Sequence, residues 1–373
     1  MKITSVEAVY VRLPLAFSYQ GGVQLTRDLA TRDYTGSLIV TLHTDEGVTG
    51  LGDITVKGGS PKEGQAAKLY VEDALAPLLV GANPFDLETL MDRLWAATWH
   101  RSTVYAAGLD IALHDLVCRA LGVPLYQFLG GKARHRVPLT WNVPATKDIP
   151  AMVRQATEAV EKGFTHVIKV KTGTPWDVEA LVAIQKAIGP TVPLRPDDNG
   201  NFLAGESIRR FRQARDRGVI YELLEQPAPN SDLAGLRRVG DALGERVMYH
   251  VGYVQREVAV AIITQRAADV VSVPVFRHGI RQAVQLVKAF ELASIGCAMG
   301  SGLEGPIAAT AAIHVATALR NMCYPVDTLG PLWFADTILL ERPFFSAGYA
   351  KAPDGPGLGI ELDPTKVNQY RAA

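Results

Sequence analysis

From Val137 onward the chain repeats one pattern, a short apolar run followed by a longer amphipathic stretch, at intervals of roughly 22 to 28 residues, the length of a strand–helix unit. The apolar runs are Val167 to Val170, Val192 to Arg195, Tyr221 to Leu224, Val247 to Tyr249, Val270 to Val273 and Gly296 to Met299. Between them, Ile149 to Lys162, Val178 to Ile188 and Glu206 to Arg217 carry helical periodicity. Strands joined through helices run parallel, and a series of such units either closes into a barrel or opens into a doubly wound sheet. The open sheet would be marked by a Gly-x-Gly-x-x-Gly turn after an early strand, and no early strand is followed by one. The pattern predicts an α/β fold with a TIM-like barrel.

The first 130 residues read differently. Ile3 to Leu13 and Ser37 to Thr44 alternate like strands, and the turn Asp45-Glu46-Gly47 leads into an antiparallel return over Val48 to Asp53. Helices are predicted at Glu63 to Leu79, Asp86 to Trp99 and Ser102 to Leu121, the last stopped by Gly122-Val123-Pro124. Phe17 to Thr35 and Val56 to Pro61 are polar or glycine-rich and are expected to be mobile loops. At 373 residues the chain exceeds what one core usually supports. The expected division is an α+β lobe over residues 1–130, a barrel over 131–344, and a Pro/Gly-rich segment, 345–373, packing back on the first lobe.

Lysine plus arginine equals aspartate plus glutamate at 38 each, which argues against a nucleic-acid or membrane-surface partner. Cys118, Cys297 and Cys323 are too few and too scattered for a disulfide framework or a cysteine metal site. Without a signal-like N-terminus or a bilayer-length apolar run, a cytoplasmic soluble protein is expected.

Polar residues collect where the strands end, which in a barrel of this kind is where chemistry sits. Lys169-Val170-Lys171 places two ammonium groups on one face of a strand, and each makes protonation of the other costlier, so at least one pKa is expected to fall toward neutrality. A lysine pair alone is commonplace at an exposed strand end; the acidic strand ends that follow change its weight. Asp197 and Asn199 share a face at the next strand end, and Glu225 ends the one after, in Leu224-Glu225-Gln226-Pro227. Two successive carboxylates suit a hard divalent cation, and with the lysines they point to metal-assisted proton abstraction beside a carboxylate.

In its motifs the sequence resembles the enolase superfamily, in its muconate cycloisomerase branch. The resemblance runs through Asp45 to Gly52, Gly108 to Leu116, Leu129-Gly130-Gly131-Lys132, the three strand ends above, Gly300-Ser301-Gly302-Leu303-Glu304-Gly305 and Leu329-Gly330-Pro331-Leu332. It implies a capping domain over a (β/α)7β barrel, a lyase or isomerase acting on a small carboxylate, and a homo-oligomer. A lysine or histidine base working with Mg²⁺ is a known property of this superfamily rather than a deduction from this chain. Carried onto these residues, it makes Lys171 the base, with Lys169 beside it tuning its pKa and meeting the substrate carboxylate, and Asp197 and Glu225 metal ligands.

Two positions depart from the family pattern. His250 stands where a third carboxylate ligand is expected, which favours Mn²⁺ or Zn²⁺ over Mg²⁺, or leaves the site without metal and His250 free to act as acid or base. Pro274 stands where the family has a second lysine on the opposite face. Losing that base argues against racemisation and leaves cycloisomerisation or elimination on one face. Glu304 is a further candidate catalytic residue; Asp336, His278, Tyr19, Arg27 and Arg32 are lesser ones. A barrel that binds a ligand without turnover is the non-enzymatic alternative.

Overall fold

In the computed structural model the described residues are 1–20, 31–56, 60–98, 102–250, 255–327, 329–342 and 344–372. The chain opens with a three-stranded antiparallel meander, β1 (Ile3–Gln20), β2 (Thr31–Thr44) and β3 (Thr49–Val56), in the order β1-β2-β3. Helices α1 (Pro61–Tyr70), α2 (Leu87–Thr98) and α3 (Val104–Ala120) follow, with a short α4 (Leu125–Phe128). The first begins with a capping box, Ser60 accepting from the Glu63 amide while the Glu63 carboxylate reaches back to the Ser60 N–H. The helix expected to run on to Leu79 instead passes at Tyr70 into a π turn, Val71–Leu75, and a 3₁₀ turn, Ala76–Leu78, where Pro77 interrupts the pattern.

The buried α3 lies on β3 almost backbone to backbone. Gly50 and Gly52 make this possible, since a Cβ at either would fall 2.3 Å from the Ala112 carbonyl oxygen and 2.1 Å from that of Gly108. Asp115 on α3 accepts from the Leu51 amide at 2.8 Å and, through its other oxygen, from the Leu358 amide at 2.6 Å. Burial pushes its pKa up, and the Arg119 guanidinium at 2.8 Å opposes this.

The strand–helix rhythm then appears as read. β4 (Val137–Pro138) and β5 (Trp141–Val143) lead into α5 (Ile149–Glu161), β6 (Ile168–Lys171), α6 (Asp177–Ile188), β7 (Leu194–Asp197), α7 (Ala204–Asp216) and β8 (Leu224–Glu225). There follow α8 (Leu233–Leu243), β9 (Val247–Tyr249), α9 (Arg256–Gln265), β10 (Val270–Ser272), α10 (Val275–Leu292), β11 (Gly296–Ala298) and α11 (Pro306–Ala318). Strands β5 to β11 form one parallel sheet in sequential order. It curls shut through two further parallel bridges, Cys297 to Met322 and Leu139 to Val326, so the segment around 322–326 serves as the closing strand. The fold is thus an α+β cap with a (β/α)7β TIM-like barrel. The run expected at Tyr221 to Leu224 is a strand only at Leu224–Glu225, with Tyr221 making a single bridge to Leu194.

The last elements are α12 (Leu329–Trp333), the hairpin β12 (Phe344–Ser346) and β13 (Tyr349–Lys351), and α13 (Pro364–Tyr370). β13 pairs with β4, Arg371 bridges Val11 on β1, and the Ala372 amide donates to the Tyr10 carbonyl at 3.0 Å. Arg119 completes the tie by donating to Glu361 and to the Ile360 carbonyl, each at 2.6 Å.

The expected loop at Phe17 to Thr35 is corrected at its two described ends, residues 21–30 lying outside the described residues. β1 and β2 continue to Gln20 and from Thr31, with Tyr19 opposite Arg32, because ladder hydrogen bonding carries the hairpin outward through polar sequence. Arg27 lies outside the described residues, as do residues 57–59 of the second expected loop.

Candidate active site

Strand ends β6 to β9 bring Lys169, Lys171, Asp197, Glu225 and His250 to one mouth of the barrel. Register fixes this: Lys169 is level with Asn142 on β5 and Arg195 on β7, Lys171 with Asp197, and Asp197 with Glu225. Period-two alternation then turns all of these side chains inward, Lys171 one layer above Lys169. Beneath the mouth, Arg195 is buried against Glu222 in a two-pronged pair at 2.7 and 3.0 Å.

The two lysines have different surroundings. Lys169 is only 1% exposed, and its ammonium meets Glu225 at 2.8 Å, Asp327 at 2.9 Å and Asp197 at 3.0 Å. Burial alone would lower its pKa, but these three carboxylates hold it well above the ordinary lysine value. Lys169 is therefore not the lysine whose pKa falls through like-charge repulsion, since three anions outweigh one neighbouring cation. Lys171 is 12% exposed and donates to Asp197 Oδ2 at 2.6 Å and to Asn199 Oδ1 at 3.2 Å.

Asp197 spends one oxygen on the lysines and the other on the amide and side chain of Asn199, at 3.0 and 2.7 Å. Burial would raise its pKa, but Lys169 and Lys171 keep it well below the carboxylate range. Burial and the charge of Asp197 also push Glu225 upward, yet Lys169 and His250 bring it down to about 2. His250 Nδ1 makes a charge contact with Glu225 Oε1 at 2.5 Å and stands 3.7 Å from Asp197. Burial would lower the imidazole pKa; the Glu225 charge and the contact with Asp197 raise it. The Gln226 side chain fixes the His250 backbone, accepting from its amide at 2.8 Å.

Ligand atoms of Asp197, Glu225 and His250 lie within 4.8 Å of one another, and Glu225 Oε2 is a buried acceptor without a partner. Two carboxylate oxygens and one imidazole nitrogen fit a divalent ion of borderline softness better than Mg²⁺.

Asn199 (φ 48°), Gln226 (φ 44°) and Leu303 (φ 62°) adopt left-handed backbone just beyond strand ends β7, β8 and β11. Such conformations cost on the order of 1–3 kcal/mol each and concentrate where side chains must be aimed.

Glu304 sits in the loop after β11, buried, with Oε2 accepting from Ser301 Oγ and the Gly302 amide, both at 2.8 Å, and Oε1 unpartnered. Burial pushes its pKa up to about 7, and the Asp327 charge adds to this. Two lesser candidates fall away. Asp336 is held by Tyr370 at 2.7 Å and by Lys366, which ties α13 to the preceding loop. His278 is not in a loop but buried in the first turn of α10, its Nδ1 on the Pro274 carbonyl at 2.9 Å, and burial lowers its pKa to about 4. Pro274, two residues beyond β10, occupies the N-cap position of α10.

Sequence reasoning missed Asp327 and Asn142. Asp327 follows the closing bridge of the barrel, and its signal was the short run Pro325-Val326-Asp327, too brief to read as a strand. Asn142 is buried beside Lys169 with its Oδ1 unpartnered.

Residues 151–366 match the enolase C-terminal domain-like family, and residues 23–130 match the mandelate racemase/muconate lactonizing enzyme N-terminal domain. The chain is 29% identical to muconate cycloisomerase 1 of Rhodococcus opacus, over 99% of this chain and 98% of that one. It is 28% identical to the N-succinyl-L-Arg/Lys racemase of Bacillus cereus, with the same coverage. Among solved structures, the muconate lactonizing enzyme of Pseudomonas fluorescens complexed with muconolactone superposes with a TM-score of 0.89 at 26% identity, covering 99% of both chains. The Bacillus cereus racemase gives 0.89 at 26% identity, over 100% of this chain and 99% of that one.

Proposed function

This chain belongs to the mandelate racemase/muconate lactonizing enzyme family of the enolase superfamily and is an isomerase or lyase, and we propose that it moves a proton alpha to the carboxylate of a small acid with one lysine, on one face. The observation that carries the reading is the unequal pair of lysines. Lys169 is buried and neutralised by three carboxylates, a fixed cation that holds the acidic strand ends together and would have to give up one of these partners to meet a substrate carboxylate. Lys171 reaches the open mouth and is oriented by Asp197 and Asn199, as a base must be to meet an incoming proton. Lys171 takes the proton in the forward sense or returns it in the reverse.

Asp197, Glu225 and His250 are the residues that would hold a divalent ion, Mn²⁺ or Zn²⁺ being favoured over Mg²⁺ by the imidazole. When bound, such an ion stabilises negative charge on a substrate carboxylate or enolate. Glu304, with a pKa near neutrality, suits a proton donor on the same substrate. Pro274 supplies no base on the far face, which supports cycloisomerisation or elimination over racemisation, although one relative is a racemase.

The same reading divides the chain into a cap (1–130), a catalytic barrel (131–344) and a returning segment (345–373), and makes it a cytoplasmic homo-oligomer. No helix among the described residues is long and apolar enough to cross a membrane. The test uses muconate, the substrate named by the relatives, in deuterium oxide. Wild type should incorporate deuterium into substrate or product, and Lys171→Ala should lose this. Retention of activity within about tenfold in the alanine variant would remove Lys171 as the base.

A further inference from the structure

Asp198, between the two mouth-facing residues Asp197 and Asn199, points the opposite way, toward the surrounding helices. It is 1% exposed. No ion pair of Asp198 is present among the described residues; its oxygens accept instead from two hydroxyls, Thr172 Oγ1 at 2.7 Å and Ser207 Oγ, in α7, at 3.0 Å. A buried carboxylate without a cation is costly, and a small apolar residue would fill the place without that cost. Such a residue could not tie the chain after Lys171 to α7.

Thr172 directly follows Lys171, and its amide donates to the Asp197 carbonyl at 2.9 Å. The next two residues are held by a second buried carboxylate: Asp177, in α6, accepts from the Gly173 amide at 2.7 Å, from the Thr174 amide at 3.0 Å and from the Thr174 hydroxyl. Arg210 of α7 pairs with Asp177 at 3.0 Å and donates to the Thr174 carbonyl. The segment 172–174 is thus gripped from both neighbouring helices. On the other side, the Asp198 amide donates to the Glu225 carbonyl at 3.1 Å, so the grip continues into the strand end that carries Glu225.

We propose that Asp198 is a positioning residue, holding Lys171 in its place against Asp197 and Asn199 through Thr172. The inference rests on the reading of Lys171 as the base. A lysine with four rotatable bonds keeps its ammonium in place only if its backbone is fixed, and a displacement of about 1 Å at a reacting group can cost on the order of a hundredfold in rate.

The test compares Thr172→Val, which keeps the shape and removes the donor, with Asp198→Ala and with Asp198→Asn, whose amide oxygen still accepts from Thr172. Two readouts are taken. Acetylation of Lys171 by a small amine-reactive ester is followed by peptide mass spectrometry on chelator-treated protein, with exposed Lys186 as internal control. Turnover of muconate is followed separately. Thr172→Val and Asp198→Ala should acetylate Lys171 at least about threefold faster than wild type, lower kcat at least about tenfold and leave KM within about threefold, whereas Asp198→Asn should stay near wild type. Faster acetylation with no muconate turnover even by wild type would uphold the positioning role and overturn the choice of substrate. Unchanged Lys171 acetylation in both Thr172→Val and Asp198→Ala, with only a lowered melting temperature, would overturn the proposal and leave Asp198 a purely structural residue.

Discussion

Replacing Lys169 by methionine should unbalance the most highly charged part of the interior. The side chain keeps nearly the same length but leaves Asp197, Glu225 and Asp327, all at most 3% exposed, without their shared ammonium. A unit pair at about 2.9 Å is worth about 6 kcal/mol at an effective dielectric of 20, before desolvation. Breaking a buried pair by removing one partner usually costs about 3–5 kcal/mol. The lower end applies here, because Lys171 still faces Asp197 and His250 still faces Glu225. Among the described residues Asp327 then keeps one side-chain hydrogen bond, from Thr140 Oγ1 at 3.4 Å, and the more distant charge of Arg195, so the loss should concentrate there. Lys169→Met should therefore lower stability by about 3 kcal/mol, a fall in melting temperature on the order of 4 °C for a chain of 373 residues. The assay is a double-mutant cycle with Asp327→Asn, by chemical denaturation in the presence of a chelator. Lys169→Met/Asp327→Asn should recover about 1–3 kcal/mol over the sum of the single changes. A coupling below about 0.5 kcal/mol would refute the reasoning, since Lys169 and Asp327 would then not act as charge partners in solution.

Exchanging His250 for aspartate restores an oxygen donor and a negative charge, and calorimetric titration of metal-stripped protein should show Mg²⁺ bound at least about tenfold more tightly than by wild type. Equal Mg²⁺ affinity in the two proteins would place His250 outside the coordination sphere. Lactone formed from muconate by wild type in deuterium oxide should carry deuterium at one of the two diastereotopic alpha positions, as judged by NMR, because Pro274 offers no opposite base; deuterium at both positions would point to His250 working on that face. Burial lowers the pKa of His314 to about 4, with its ring between the Tyr126 amide and the Leu358 carbonyl. Its pKa is depressed relative to about 6.5 in the unfolded chain, so its contribution of about 3 kcal/mol is present above pH 6.5 and lost as pH falls through 6.5 to 4. His314→Gln should flatten that acid limb of the stability profile, and an unchanged slope would exclude His314 as its source.

Much of the site was legible because period-two alternation is a local rule. Once Ile168 to Lys171 reads as a strand, Lys169 and Lys171 must share a face, and the same holds for Asp197 and Asn199. The barrel followed from the strand–helix rhythm for a similar reason. Asp327 was not legible: it reaches Lys169 across 158 residues, from a closing strand reduced to two isolated bridges, and no local pattern encodes that meeting. Its absence from the reading is also why the rise in the Lys169 pKa was not foreseen, because two lysines without the full set of anions look repulsive. The long hairpin arm of β1 and β2 was missed since the pairing of Tyr19 with Arg32 and of Gln20 with Thr31 joins residues about a dozen apart, which no local alternation encodes.

The bridge between Val11 and Arg371 has a consequence in time. On a ribosome, Val11 emerges about 360 residues before its partner, and at roughly 5–20 residues per second the interval is roughly 20 to 70 seconds. Throughout that interval the outer side of β1 offers unpaired backbone groups at that end, and Asp115 lacks the Leu358 amide that occupies one of its oxygens. The first lobe to be synthesised is thus among the last to be finished. A nascent chain stalled before residue 358 would carry an open sheet edge, the form most exposed to chaperones and to pairing with another copy of itself.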